Sequence, residues 1–194
     1  MTKKNKKKHR AAITQTIAQA EKKNSLLMLL KQPINKLLFR FLLFMIVFYA
    51  LWSTPFFQNY FIGPISDMYA SISGFILNIL GFGVTVNGDT IGDKNFAISI
   101  KNGCDGVEGL AIFIFAVIIY PTLWKNKFKG LLGGILFLVA LNFLRIISLY
   151  LIGIYLPTAF DIMHESVWQI FFILFTIVAL FYWIINLPIN APTS

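Results

Sequence analysis

Residues 131–154 read LLGGILFLVALNFLRIISLYLIGI. An apolar run of this length is what a helix needs to cross the ~30 Å hydrocarbon core of a bilayer, about 20 residues at helical rise. One charge interrupts it, Arg145. An arginine deep in an apolar helix costs ~2.5–3.5 kcal/mol on insertion scales, so it needs a reason to be there. It lies about nine residues, or ~13 Å, from the far end of the run, close enough to snorkel towards that face.

Working outward, two similar runs flank this one, at about 107–124 and 167–187, and a third spans about 37–52. The chain of 194 residues is 57% hydrophobic and only 13% charged, which excludes an ordinary soluble domain. Residues 3–40 hold eleven of the seventeen basic residues and a single acid, Glu21. A basic run beside a first span marks the cytoplasmic side and attracts anionic headgroups; nucleic-acid binding is not expected. No cleavable signal peptide is expected, because over thirty residues precede the first long apolar block. Pro33 should interrupt any helix continuing from the arm.

Residues 61–82 are helical in spacing. Ile65, Met68, Tyr69, Ile72, Phe75, Ile76 and Ile79 alternate with Ser66, Asp67, Ser71, Ser73, Gly74 and Asn78, which predicts one apolar face and one wet face on a surface helix. Residues 84–101 alternate with period two, at Val84, Val86, Phe96, Ile98 and Ile100 around a turn-rich centre, which predicts a short β-hairpin.

Charge sets the sidedness. The arm and a loop carrying Lys125, Lys127 and Lys129 should both be inside. One span then leaves residue 53 outside, and the next span must start outside near Cys104. The expected fold is therefore an all-α integral membrane protein with four transmembrane helices, an outer amphipathic helix and a short outer β-hairpin. Its parts are a basic cytoplasmic arm (1–33), a membrane domain (34–188) with an outer region at 53–103, and a cytoplasmic tail (189–194).

Three chemical groups then meet on the outer face. Cys104 is the only cysteine, in the setting Asn102-Gly103-Cys104-Asp105-Gly106. The helix start that follows favours a thiolate, and the adjacent Asp105 opposes it. His164, the only histidine besides His9, opens the last span and is suited to proton transfer near neutral pH. Arg145 supplies a cation. A thiol, a proton carrier and an oxyanion stabiliser are the parts of acyl transfer. Glu108, expected one turn below Cys104 on the same helix face, is the expected partner of Arg145, and Asn142, one turn from Arg145, is placed to orient it. One cysteine and two histidines make no zinc set, and no cofactor or metal is expected.

The segments NGCDGVEGL (102–110), LNFLRIISL (141–149) and HESVWQ (164–169) resemble the exosortase/archaeosortase family, in its small members with few spans. The likeness covers roughly residues 84–186. The family's three functional residues fall on Cys104, Arg145 and His164. Asp105 departs from the small uncharged residue the family more often has there. The resemblance implies a cysteine transpeptidase or protease in the cell membrane, with its active site on the outer face. Its substrates would be exported proteins ending in a short motif, an apolar span and a basic end, and the acyl acceptor would be an envelope lipid, a glycan or water. The alternative is a non-enzymatic small transporter or accessory subunit, in which a buried Glu108–Arg145 pair lines a polar path. The absence of inverted repeats weighs against a complete transporter.

Overall fold

The computed structural model describes residues 33–100 and 104–188. The basic arm before Pro33, the segment Lys101–Gly103 and the tail 189–194 lie outside the described residues. The chain divides into two compact units, Met1–Leu43 and Phe44–Ser194, with the boundary inside helix α1 (Pro33–Trp52). The described part of this helix already includes Pro33, so the helix extends further back than the expected first span at about 37–52; the expected break between the arm and Pro33 lies outside the described residues.

In the second unit, α1 sends Phe44 and Phe48 against Phe115 of α3 (Val107–Ile119), the first ring stacked at 5.3 Å. Helix α3 packs on α4 (Trp124–Tyr155) and α5 (Trp168–Ile185) around Phe113, Val117, Leu138, Leu141 and Phe172. Lipid tails are as apolar as these side chains, so their cohesion comes from close packing rather than from escape from water.

Among the described residues, three helices are long and apolar enough to cross a membrane: Asn35–Trp52, Trp124–Tyr155 and the helical run Pro157–Ile185. The fourth expected span, α3, has 13 residues. At 1.5 Å per residue it reaches ~20 Å, short of a full hydrocarbon core. Two boundaries also differ from expectation. Lys125, Lys127 and Lys129 sit within the first turns of α4, not in a loop. Before α5, the chain already turns helically through Pro157–Ala159, Phe160–Ile162 and the π-helical Met163–Val167.

Between α1 and α3 lies helix α2 (Gly63–Ile79). Its faces differ in part from the wet-and-dry expectation: Asp67, Ser71 and Asn78 are exposed as expected, but the burial of the small and the large residues around them is not. Ser66, Tyr69, Ala70, Ser73, Gly74 and Leu77 are buried in protein, while Met68, Ile72, Phe75 and Ile79 are exposed. Small residues here serve close approach, not hydration. A Cβ on Gly74 would come within 2.3 Å of Val86 Cγ2.

The expected hairpin is a three-stranded antiparallel meander, β1 (Thr85–Asn87), β2 (Thr90–Gly92) and β3 (Ala97–Ser99). Two turns had been read as one. The Asp93 carboxylate closes the second by accepting the N–H groups of Asn95 and Phe96 at 2.8 and 2.9 Å, which holds it below the usual carboxylate range. Ile91 pairs with both Val86 and Ile98 and is completely buried. The sheet and α2 thus roof a cluster that contains Ile91, Ile98, Ile100, Ile146, Leu149 and Cys104.

Candidate active site

Helix α4 carries Asn142 and Arg145 one turn apart, and both are buried. Arg145 is 2% exposed, and its Nε has no hydrogen-bond partner. Both side-chain atoms of Asn142 are also buried without a partner. Tyr69 of α2 approaches Asn142. Burial pushes its phenol up to about 12, so it remains an O–H donor.

The loop before α3 supplies the thiol. Gly106 adopts φ +69°, and a Cβ there would lie 2.9 Å from the Asn142 amide, so both backbone and space require glycine. This left-handed residue ends the helix register. Cys104 therefore does not share a helix face with Glu108, contrary to the sequence expectation. Cys104 enters the cluster beneath the sheet, whereas Glu108 lines a separate cavity.

Cys104 is 5% exposed. Burial raises its pKa, Arg145 pulls it back, and Asp105 pushes it up. The carboxyl of Asp105 is fully buried, which raises its pKa to about 6; the Val107 N–H lowers it, Glu108 raises it, and Arg145 lowers it. That N–H donates to Asp105 Oδ1 at 3.1 Å, and Oδ2 has no partner.

His164 sits in the π-helical turn before α5, half-buried and stacked on Phe160 at 5.6 Å with the rings 6° apart. Phe160 in turn meets Phe96, which precedes β3. π-Helical turns recur where a helix presents a functional side chain. The charge of Arg145 is felt at both His164 and Cys104. Arg145 thus lies in the field of both other groups, but among the described residues no hydrogen bond joins Cys104 to His164. Nor is there an ion pair between Arg145 and Glu108; that expected pairing is not formed.

A cavity of about 350 Å³ opens beside these groups. Its lining mixes Asp105, Glu108, Arg145 and Gln169 with isoleucines and with the hydroxyl-bearing Tyr49 and Thr176. Sequence reasoning overlooked Tyr69, which was counted with the apolar face of its helix. It also passed over Gln169, whose only signal is an amide inside an apolar helix.

The family model described as Transmembrane exosortase (Exosortase_EpsH) matches residues 24–182. The match includes the first helix, where no usable likeness was expected. No curated protein and no solved structure matches the chain. The apolar helices and this match, which covers most of the chain, show a membrane protein that belongs to the transmembrane exosortase family.

Proposed function

We propose that the chain is a membrane-embedded cysteine transpeptidase or protease that removes the C-terminal sorting tail of exported proteins. The observation that carries this reading is the unfinished bonding around one buried cation. Arg145 Nε and Asp105 Oδ2 are buried without partners beside the Cys104 loop, and the buried Asn142 amide is approached by the Tyr69 hydroxyl. Such atoms cost ~1–3 kcal/mol each when left bare, and an arriving substrate can supply what they lack.

In the proposed reaction, Cys104 Sγ attacks the carbonyl after the recognition motif. The guanidinium of Arg145 stabilises the oxyanion; Asn142, expected to orient it, makes no hydrogen bond to it among the described residues. His164 protonates the leaving amine and later takes a proton from the incoming nucleophile. Collapse leaves a thioester on Cys104, which water or an envelope acceptor resolves. The proposed topology has four crossings with both termini cytoplasmic, α3 being a short crossing completed by its flanking turns. Residues 53–103 and His164 then share the outer face, and the α4 lysines lie inside.

In the transporter or accessory-subunit reading Glu108 and Arg145 line a polar path; both line the cavity, although no ion pair joins them among the described residues.

Two measurements test the proposal. A reporter with a motif, an apolar span and a basic end is co-expressed, and its tail followed by size. Wild type should cleave it and yield a trappable thioester on Cys104, and Cys104→Ala should do neither while still inserting. Cleavage by the alanine variant sinks the cysteine mechanism. Single cysteines placed in 84–100 of a Cys104→Ala background should react with an impermeant label from outside; reaction only from the cytoplasm refutes the shared face.

A further inference from the structure

Asn142 lies one turn before Arg145 on α4, yet its amide makes no hydrogen bond to the guanidinium among the described residues. Its close neighbours are elsewhere. Gly106, two residues after Cys104, turns in the left-handed region and is held between two helices. A Cβ there would lie 2.9 Å from the Asn142 amide of α4 and 3.1 Å from Phe172 Cζ of α5. Tyr69 of α2 reaches the same amide with its hydroxyl. We infer that Tyr69 is a further positioning residue of the site: its hydroxyl holds the Asn142 amide against Gly106 and so fixes the loop that carries Cys104. The inference rests on the thioester chemistry proposed above.

Tyr69 is buried and belongs to the same cluster as Cys104. Its ring meets Phe143 edge-on at 5.0 Å, and Phe143 is the residue after Asn142. The tyrosine thus docks on two consecutive positions of α4, with its ring on one and its hydroxyl at the other. The ring contact sets where the hydroxyl can be. The amide needs such a stop. The last torsion of an asparagine is broad, and both amide atoms of Asn142 lack a hydrogen bond that would set their plane. On the α3 side the loop is already tied. The Val107 N–H donates to Asp105 Oδ1 at 3.1 Å, and the Leu110 N–H donates to the Gly106 carbonyl at 3.2 Å. Those bonds fix the loop where α3 begins. Its seat on α4 is left to packing, and the Asn142 amide makes that contact.

A nucleophile must be held this closely, because a misplacement of about 1 Å can cost ~10²-fold in rate. Tyr69→Phe removes the hydroxyl and keeps the ring, so the Phe143 contact survives while the amide is free to turn away from Gly106. Two effects of opposite sign follow. The loosened loop opens more often, so a small reagent reaches the thiol sooner. The same loosening takes Sγ out of line with the substrate carbonyl, so the thioester forms more slowly. A tyrosine that only fills the core produces neither effect, because phenylalanine fills the same space. Tyr150 is the control. It is buried in the same cluster with a bare hydroxyl, and its ring meets Phe82 and Phe96 rather than α2.

The test uses the full chain in choline-headgroup vesicles and reads two rates. One is thioester formation with the tailed reporter; the other is alkylation of Cys104 by iodoacetamide with no substrate present. Cys104 is the only cysteine in the chain, so the second rate reports on it alone. Tyr69→Phe should insert with an unchanged thermal midpoint. It should form the thioester ~10-fold more slowly at saturating reporter, with KM within about twofold of wild type. Its alkylation should be at least ~3-fold faster, as expected of a loop that opens locally. Asn142→Ala should show the same pair of effects without touching α2. The double variant should be no worse than Asn142→Ala alone, because the hydroxyl acts through that amide. Tyr150→Phe should change neither rate. If Tyr69→Phe leaves either rate unmoved, or Tyr150→Phe moves them equally, Tyr69 is core packing and nothing more. Effects of Tyr69→Phe and Asn142→Ala that multiply overturn the path through the amide. A thermal midpoint that falls in step with faster alkylation makes the loosening global and removes the positioning role. A wild-type chain that never forms the thioester overturns the proposed activity, and the alkylation rates alone then decide whether Tyr69 positions the thiol.

Discussion

Helix α4 buries two cations, Lys127 in its first turn and Arg145 in its second half. At Lys127 the bonding is finished: Nζ donates to the Ile118 carbonyl at 2.6 Å and lies 5.0 Å from the centre of the Trp124 ring. That carbonyl belongs to the last turn of α3, where backbone oxygens have no helical donor. Nearby, Trp183 Nε1 ties α5 to the Asn126 carbonyl at 3.1 Å. Five turns along, Arg145 is buried more completely, yet its Nε has no partner and it forms no ion pair among the described residues. The same helix thus treats one cation as a structural bolt and leaves the other waiting. Burial of charge alone does not distinguish structure from site; the state of its partners does.

The largest effect that could break this contrast is on activity. Arg145→Lys keeps a positive charge but loses the planar fork that holds two acceptors at once. It should insert normally and slow tail cleavage by ~10²–10³-fold, the loss typical of removing an oxyanion donor. Full activity in the lysine variant would reduce Arg145 to a generic charge, and full activity in Arg145→Ala would remove it from the mechanism.

The next effect is on stability, and its sign differs between the two cations. Lys127→Met strips the Ile118 carbonyl of its donor and should destabilise by ~1–2 kcal/mol, read as a lower thermal midpoint in detergent. Arg145→Met exchanges an incompletely bonded buried charge for an apolar chain of similar length. It should hold or raise the midpoint while abolishing cleavage, because apolar replacement of buried charges is often stabilising. Equal destabilisation by both would make Arg145 as structural as Lys127.

Much of this was legible in the sequence, for reasons that also explain what was not. Long apolar runs encode helices in lipid almost without ambiguity, so α1, α4 and α5 could be read directly, although their ends could not. Helical turns such as Pro157–Val167 are set by packing rather than by hydropathy. Arg145 stood out because charge is rare at that depth. Lys127 did not, because a lysine at a span's edge usually stays in water, and only the proximity of the α3 terminus to its Nζ shows otherwise. The faces of helix α2 were misread in part, because serine and glycine look the same in sequence whether they meet water or a neighbouring backbone. The division of Cys104 from Glu108 turns on the left-handed Gly106, which spacing rules pass over because they assume an unbroken helix.

The smallest expected effect sharpens the contrast most, because it concerns the carboxyl that adjoins the unfinished cation. If Asp105 completed Arg145 as Ile118 completes Lys127, its pKa would lie well below the normal carboxylate value. Instead burial outweighs the attraction and raises it to about 6. Two consequences have definite signs. First, the folded state binds this proton more tightly than the unfolded chain, where the group titrates near 3.8. Its contribution is most favourable below pH 4 and is lost as pH rises to about 6, by up to ~3 kcal/mol at 1.36 kcal/mol per unit. Asp105→Asn cannot titrate, so its thermal midpoint relative to wild type should climb between pH 4 and 6 and then level off. Second, ionised Asp105 raises the Cys104 thiol, so the asparagine variant should shift the pH profile of Cys104 alkylation to lower pH. Both shifts are read on a chain with no substrate present, so they do not depend on the proposed activity. A midpoint difference that is flat from pH 4 to 7, with an unchanged alkylation profile, would mean that Asp105 is paired after all. The two cations of α4 would then differ only in the identity of their partners.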